Sequence, residues 1–219
     1  KYISNYELND NLKIKGISPH LRNTLIMITI EKYICFYSYV LQNFIRVISI
    51  KDLNDEIPVK CELFNHLYAI ILTENGTLNI WNLKDWNVAR VINKSSIGNR
   101  SCSFFTIITT ESEEKFIVAG NKNGNVYLID MNKKDIDSRR LDTDKCEHEN
   151  PILMADFNPK NNILMTFSKS HILFIDIKNP KLYRKVANFE YVKRQKIKGV
   201  SLNLCNCFNQ VSYFIYGKT

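Results

Sequence analysis

The chain has 219 residues, of which 45% are hydrophobic and 11% aromatic, so it can fold around a sizeable core and is not a disordered chain. It contains no run of about 18 apolar residues that would form a transmembrane helix, and we expect a soluble, cytoplasmic protein that does not bind a membrane. The formal net charge of +8 favours an acidic partner, although a lysine-rich surface without a fixed partner also accounts for it.

The cysteines indicate neither a metal site nor a disulfide framework. They are spread along the chain without a CxxC pair, and most lie in apolar stretches where a small buried side chain fits. Neither a second close pair nor a nearby histidine completes a zinc-binding set. We therefore expect reduced thiols, no metal and no cofactor. The six are Cys35, Cys61, Cys102, Cys146, Cys205 and Cys207.

The first predicted element is a hairpin near the start of the chain. Residues 33–39 and 44–50 are rich in Ile, Tyr and Phe, which favour strands, and a turn without glycine joins them at Gln42 and Asn43. We interpret the pair as the last hairpin of an otherwise incomplete sheet.

Three later segments, at residues 75–83, 123–131 and 169–177, share one pattern. In each, an apolar strand runs into a tight polar turn, and the next strand alternates polar and bulky residues. Gly76 and Gly124, which are 48 residues apart, supply the positive φ that a short turn needs, and Ser170 follows 46 residues later. No stretch keeps a helical period for three turns, so the predicted class is all-β.

A repeat of this length is typical of WD-repeat β-propeller blades, each made of four antiparallel strands. The pattern predicts three full blades at residues 58–83, 102–131 and 151–177, with polar connectors between repeats at 93–100, 132–149 and 179–198. Residues 199–204 and 211–216 predict the first strands of an incomplete further blade. Because a propeller needs roughly four or more blades to close its ring, we expect the remainder of a longer chain or another copy to complete it.

Short motifs along the chain carry a family resemblance. Leu-Arg-Asn-Thr-Leu at 21–25 precedes Lys-Tyr-Ile-Cys-Phe-Tyr at 32–37, and Val-Lys-Cys follows at 59–61. Ala-Asp-Phe-Asn-Pro at 155–159 precedes Lys-Ser-His at 169–171. In this order they resemble the echinoderm microtubule-associated protein-like (EMAP-like) family, whose hydrophobic EMAP-like (HELP) motif precedes its WD repeats. The usual Tyr-Gly-Tyr opening is absent, and the Gly-His and Trp-Asp dipeptides of WD repeats are mostly eroded, so a divergent member is implied.

The resemblance implies the first part of a propeller, with a HELP motif and a partial first blade at residues 1–57 and WD-type blades at 58–219. It also implies a non-enzymatic scaffold of the cytoskeleton that mediates protein–protein interactions and binds tubulin or microtubules. The alternative is a propeller subunit of a ribosome-biogenesis or other RNA-processing complex, whose basic surface would face RNA. A lipid-binding propeller is less well supported, because Arg139 and Arg140 lie among acidic residues.

Basic residues concentrate between positions 178 and 198, where Glu190 is the single acid. On a connector between two blades they would project from one rim and attract an acidic partner such as a tubulin tail. A solvated loop without a fixed partner is the alternative. We call these residues the basic segment: Lys178, Lys181, Arg184, Lys185, Lys193, Arg194, Lys196 and Lys198.

The sequence contains no recognisable set of catalytic residues. The histidines at positions 20, 66, 148 and 171 have no carboxylate or cysteine at usable spacing, and we expect the ring of His171 to hydrogen-bond a neighbouring strand. Glu111, Glu113 and Glu114, like the acids between residues 135 and 149, are expected to be exposed charges. No phosphate-binding glycine loop occurs. The sequence therefore predicts that the protein is not an enzyme.

The two tryptophans are candidates for stacking on nucleic-acid bases. Trp81 and Trp86 are both assigned to strand positions, where packing between blades accounts for a large aromatic side chain better than base stacking does. We expect no nucleic acid to bind through them.

Overall fold

The computed structural model describes residues 14–19, 25–133, 137–141, 148–169, 171–180, 183–187, 196–205 and 210–218, the last three ranges as backbone only. The regular elements of these residues are eighteen β-strands and two 3₁₀ helices, Ile50–Leu53 and Lys94–Ile97. The all-β prediction is therefore confirmed. Within the described part of the chain, no helix is long and apolar enough to cross a bilayer. The chain divides into two compact units, Lys1–Lys94 and Ser95–Thr219.

The first unit contains two four-stranded antiparallel sheets, in each of which the strands follow chain order. Sheet 1 consists of β1 (Ile14–Pro19), β2 (Leu25–Ile30), β3 (Tyr33–Ser38) and β4 (Asn43–Ser49). Sheet 2 consists of β5 (Pro58–Leu63), β6 (Tyr68–Thr73), β7 (Leu78–Asn82) and β8 (Asn87–Ile92).

The second unit repeats this arrangement and adds a hairpin. Sheet 3 consists of β9 (Cys102–Thr109), β10 (Lys115–Asn121), β11 (Val126–Asp130) and β12 (Asp137–Arg140). Sheet 4 consists of β13 (Ile152–Asn158), β14 (Ile163–Ser168), β15 (His171–Asp176) and β16 (Tyr183–Ala187). The final hairpin pairs β17 (Lys196–Cys205) with β18 (Gln210–Lys218), where the sequence predicted the first two strands of a further blade.

Two sequence-based assignments were wrong. Sheet 1 is a complete four-stranded sheet rather than a lone hairpin, because β1 and β2 precede the predicted strands. Strand β1 escaped prediction because it contains a glycine and a proline and is almost wholly exposed, a composition that strands avoid. The polar connectors at 132–149 and 179–198 were also too long, since each contains the outer strand of a sheet, β12 or β16.

The core of each unit lies between its two four-stranded sheets. In the first unit, one cluster joins Met27, Ile34 and Phe36 of sheet 1 to Ile71 and Trp81 of sheet 2. In the second unit, another joins sheet 3 to sheet 4 through Ile108, Val118, Leu128, Leu164 and Leu173. Apolar side chains from facing sheets therefore exclude water between them, which is the packing expected between neighbouring propeller blades.

The glycine turns form as predicted. Gly76 and Gly124 have φ values of 80° and 90°, in the left-handed region that other residues adopt at a cost. Gly124 is also tightly enclosed, because a side chain there would collide with the carbonyl oxygens of His148 and Asn150. The turn between β10 and β11 is thus pressed against the connector that leads into sheet 4.

Candidate interaction surfaces

The structure distributes the basic segment over two strands instead of one connector. Lys178 is exposed just after β15. Arg184 and Lys185 lie on β16, the outer strand of sheet 4, where they pair with Phe174 and Leu173 of β15. The prediction of a single connector is therefore wrong here, because an apolar strand with an open edge recruits the next extended segment as its partner.

The rest of the basic segment lies on β17 or outside the described residues. Lys196 and Lys198 belong to the backbone of β17, which opens the final hairpin. Lys181, Lys193 and Arg194 fall outside the described residues. The binding role of the segment stays a prediction.

A groove of about 750 Å³ opens in the second unit beside β12, the outer strand of sheet 3, and we call it the outer groove. Its apolar lining consists of Phe116 on β10, Leu128 on β11 and Ile177 after β15. Phe116 is only half-buried, so apolar surface remains open to solvent in the groove. The outer groove can therefore receive an apolar group from outside.

Charged side chains surround this apolar lining. Four are basic and exposed, namely Lys133, Arg139, Arg140 and Lys178. The two acids of the lining are Glu114, which is exposed, and Asp130, which is half-buried. The outer groove thus has an excess of two positive charges but is not uniformly basic.

Two hydrogen bonds hold the strand beside the outer groove. The Arg139 guanidinium donates to the carbonyl oxygen of Ile177, and the Ser138 hydroxyl donates to the carbonyl oxygen of Ser96. The first bond links sheet 3 to the end of sheet 4 across the groove. The two sides of the groove are therefore joined by a hydrogen bond within the chain itself.

A polar side chain closes the hairpin between the second and third strands in three of the sheets. Thr73 ends β6, Asn121 ends β10 and Ser168 ends β14, and all three are buried. Each bonds to its own turn and also to the connector that precedes its sheet. We call these three residues the hairpin anchors.

In sheet 2 the connector supplies a carboxylate. The Thr73 hydroxyl donates to a carboxylate oxygen of Glu56 and accepts a hydrogen bond from the Thr77 backbone N–H at 3.3 Å. Because Glu56 is only half-buried, solvent shares in satisfying its charge.

In sheet 3 the connector supplies a backbone group. The Asn121 side-chain amide donates to the carbonyl oxygen of Ile97 at 3.1 Å. Its side-chain oxygen accepts from the backbone N–H groups of Asn123 and Asn125 at 3.0 and 3.1 Å. One buried amide therefore joins the turn to the connector.

In sheet 4 the connector supplies a histidine. The Nδ1 atom of His148 lies 2.8 Å from the hydroxyl of Ser168, and Nε2 lies 2.9 Å from the hydroxyl of Thr166. All three side chains are buried. A neutral imidazole can donate from one nitrogen and accept at the other, so the two hydroxyls match it.

Sequence reasoning missed the structural role of His148. His148 was judged isolated, yet its partners stand 18 and 20 residues further along the chain. A histidine shortly before a predicted first strand, with hydroxyl residues at the end of the second strand, is the signal that would have found it. The ring contact expected for His171 stays a prediction; its backbone N–H donates to Ser168.

The tryptophans are packing residues. Trp81 is buried in the core of the first unit, as predicted. Trp86 lies in the turn before β8 with φ of 54°, so its assignment to a strand was wrong. Its ring meets Phe36 edge-on at 5.1 Å between centroids, and the Arg46 guanidinium lies 6.0 Å from the ring centre. Both rings are thus engaged by the protein itself.

Acidic side chains in the turn before β10 are exposed and three of the cysteines are buried, as the sequence predicted. Glu111 and Glu113 are exposed in the turn before β10. Cys35, Cys61 and Cys102 are buried and form no disulfide. Burial raises the pKa of Cys61 to about 12, against the opposing effect of a hydrogen bond with Thr29. Among the described residues, no group of His, Cys, Asp and Glu could hold a metal ion.

Comparison with known proteins agrees with the fold. No protein-family profile matches the chain. A stretch of 94 residues is 31% identical to Protein HIR1, a WD-repeat protein, in two strains of Cryptococcus neoformans var. neoformans serotype D. The stretch covers 42% of this chain and 10% of that relative. The chain is thus built of WD-repeat propeller blades, a fold that serves in general as a non-enzymatic scaffold for protein interactions.

Proposed function

We propose that this scaffold is a divergent EMAP-like protein that binds tubulin or microtubules as part of the cytoplasmic cytoskeleton. The observation that supports it most is the location of basic residues on the outer edge of a packed sheet. Arg184 and Lys185 occupy β16, at the edge of sheet 4, and Lys178 is exposed just after β15.

Charge at the edge of a rigid sheet suits an acidic protein surface. Opposite charges accelerate encounter and orient the partner, and the rigid sheet limits the entropy that binding must remove. Because exposed charges are screened by salt over about 8 Å at physiological ionic strength, this binding should weaken as salt is added.

Co-sedimentation with stabilised microtubules tests the proposal. The full chain should pellet with microtubules, and free tubulin should compete. Microtubules from which the acidic tails have been removed by limited proteolysis should pellet less of it. Failure to pellet at any salt concentration would contradict the proposal.

A charge-matched pair of variants tests the basic segment itself. Neutralising Lys178, Arg184, Lys185 and Lys198 to Gln should weaken microtubule binding about tenfold and flatten its salt dependence. Neutralising exposed lysines of the first unit, Lys32, Lys51, Lys84 and Lys94, changes the net charge equally and should have little effect. Equal losses in both variants would mean that only the total charge matters.

Adding RNA to the sedimentation assay distinguishes tubulin binding from the alternative role in an RNA-processing complex. RNA is added to the sedimentation assay at matched salt. If RNA abolishes pelleting and free tubulin does not compete, the RNA-processing role is favoured over tubulin binding.

A further inference from the structure

We infer that the outer groove of the second unit is a docking site for a linear acidic peptide that carries one bulky apolar side chain. The inference goes beyond tubulin binding, because the groove is a separate feature that shares only Lys178 with the basic segment. The groove combines an apolar lining, a mixture of charges and an edge strand.

The apolar lining provides a seat for one side chain. Leu128 and Ile177 are buried, while Phe116 is half-buried and borders the opening. A volume of about 750 Å³ lies within the range of roughly 300–1,000 Å³ that is usual for ligand pockets. An aromatic or long aliphatic side chain can therefore enter while the rest of a peptide stays at the rim.

The charges select an acidic peptide over a polyanion. Arg139 and Arg140 present guanidinium groups, whose planar geometry matches carboxylates, and Lys178 adds a flexible cation at the opposite side. Glu114 and Asp130 would repel a continuous phosphate backbone but can accept hydrogen bonds from peptide N–H groups. Spaced carboxylates on a peptide satisfy both sets of groups.

The edge strand offers main-chain recognition as well. Within the described residues, β12 lies at the edge of sheet 3 and pairs only with β11 on its inner side. An extended peptide can add to such an edge and place alternate side chains into the groove. Because Arg139 already spans to Ile177, little ordering is needed when the peptide binds.

Fluorescence anisotropy with the full chain tests the inference. The probe is a labelled glutamate-rich peptide with one central phenylalanine, and the comparison probe has serine in its place. We expect Arg140→Glu and Lys178→Glu each to weaken binding of the phenylalanine peptide about tenfold, and the serine peptide to bind the unaltered chain about tenfold more weakly. Arg100→Glu removes an exposed cation outside the groove lining and should change affinity less than about twofold.

Three outcomes would overturn the inference. An equal loss of peptide affinity in Arg100→Glu would show that net charge alone attracts the peptide. Equal affinities for the phenylalanine and serine peptides would show that the groove does not bind the apolar side chain. Preferential binding of RNA, or of vesicles containing phosphoinositides, through Arg140 would assign the groove to another ligand class. Melting curves check folding, and Arg140→Gln replaces any glutamate variant that fails to fold. Microtubule binding retained by Arg140→Glu would separate this site from the proposed tubulin contact.

Discussion

Sheets 2 and 4 close the same hairpin with different chemistry. In sheet 2 the half-buried carboxylate of Glu56 meets Thr73, whereas in sheet 4 the buried imidazole of His148 meets both Ser168 and Thr166. The carboxylate is only half-buried, whereas the histidine and both hydroxyls are buried, so protein groups rather than water must satisfy them. The more deeply buried anchor should therefore contribute more to stability, because a buried donor or acceptor that loses its partner cannot form a hydrogen bond with water instead.

The comparison also shows that the geometry of the repeat is kept while its sequence signature changes. Sheet 3 uses the amide of Asn121 and the carbonyl oxygen of Ile97, with no connector side chain at all. What the fold needs at this position is a donor–acceptor pair between turn and connector, since a buried polar group without a partner is costly. Several residue types satisfy that need, which explains why the usual WD dipeptides are eroded without loss of the sheet.

The largest predicted effect is the loss of the histidine anchor. His148→Ala takes one hydrogen-bond partner from each of the buried Ser168 and Thr166 hydroxyls and opens a cavity, which should cost about 3 kcal/mol of unfolding free energy. Hydrogen exchange followed by mass spectrometry should show faster exchange in β14. The exposed His66→Ala is the matched control and should leave exchange unchanged. Unaltered protection of β14 in His148→Ala would show that the anchor is dispensable.

The enclosed glycine comes next. Gly124→Ala combines a positive φ with a collision against the carbonyl oxygens of His148 and Asn150, so we expect a loss of about 2 kcal/mol. Gly16→Ala is the control, because it has a negative or extended φ and open space around it. Thermal unfolding should show a lower Tm for Gly124→Ala alone. A similar Tm in both variants would mean that the turn and the connector are not pressed together.

The carboxylate anchor should matter less than the histidine. Glu56→Ala removes one partner of the Thr73 hydroxyl, which keeps the backbone of Thr77 as its other partner, so the expected cost is about 1 kcal/mol. Urea unfolding monitored by tryptophan fluorescence reports this, since both tryptophans lie in the first unit. A cost equal to that of His148→Ala would contradict the ranking by burial.

The smallest effect at neutral pH concerns Cys61. Its folded pKa is raised to about 12 from the usual 9.0, so the thiol stays protonated in the folded chain while it ionises in the unfolded one. The stabilising contribution is therefore complete below pH 9 and is lost as the pH rises towards 12. Cys61→Ala has no such titration, so the difference in Tm between it and the unaltered chain should shrink above pH 9. A constant difference across that range would contradict the raised pKa.

Much of the fold could be predicted from local pattern because strands and tight turns carry it. Alternating apolar residues and the glycines at 76 and 124 located the middle strands of the sheets, which are buried on both faces. Outer strands such as β12 and β16, and the exposed β1, carry no such pattern. Only pairing with a neighbour makes them strands, and pairing is not visible in a single segment.

For the candidate interaction surfaces, the sequence identified the basic segment but not the outer groove. It determined the all-β class, the length of the repeat and the concentration of basic residues between positions 178 and 198, because these follow from composition and local periodicity. Only the tertiary structure decided that Arg139 and Arg140 border an apolar groove with Ile177, and that His148 joins Ser168. The physical reason is that both contacts join residues that are far apart in the chain. The Arg139 bond spans 38 positions and depends on sheet 3 packing against sheet 4, whereas the His148 contact spans 20 positions and depends on the connector folding back against the end of β14.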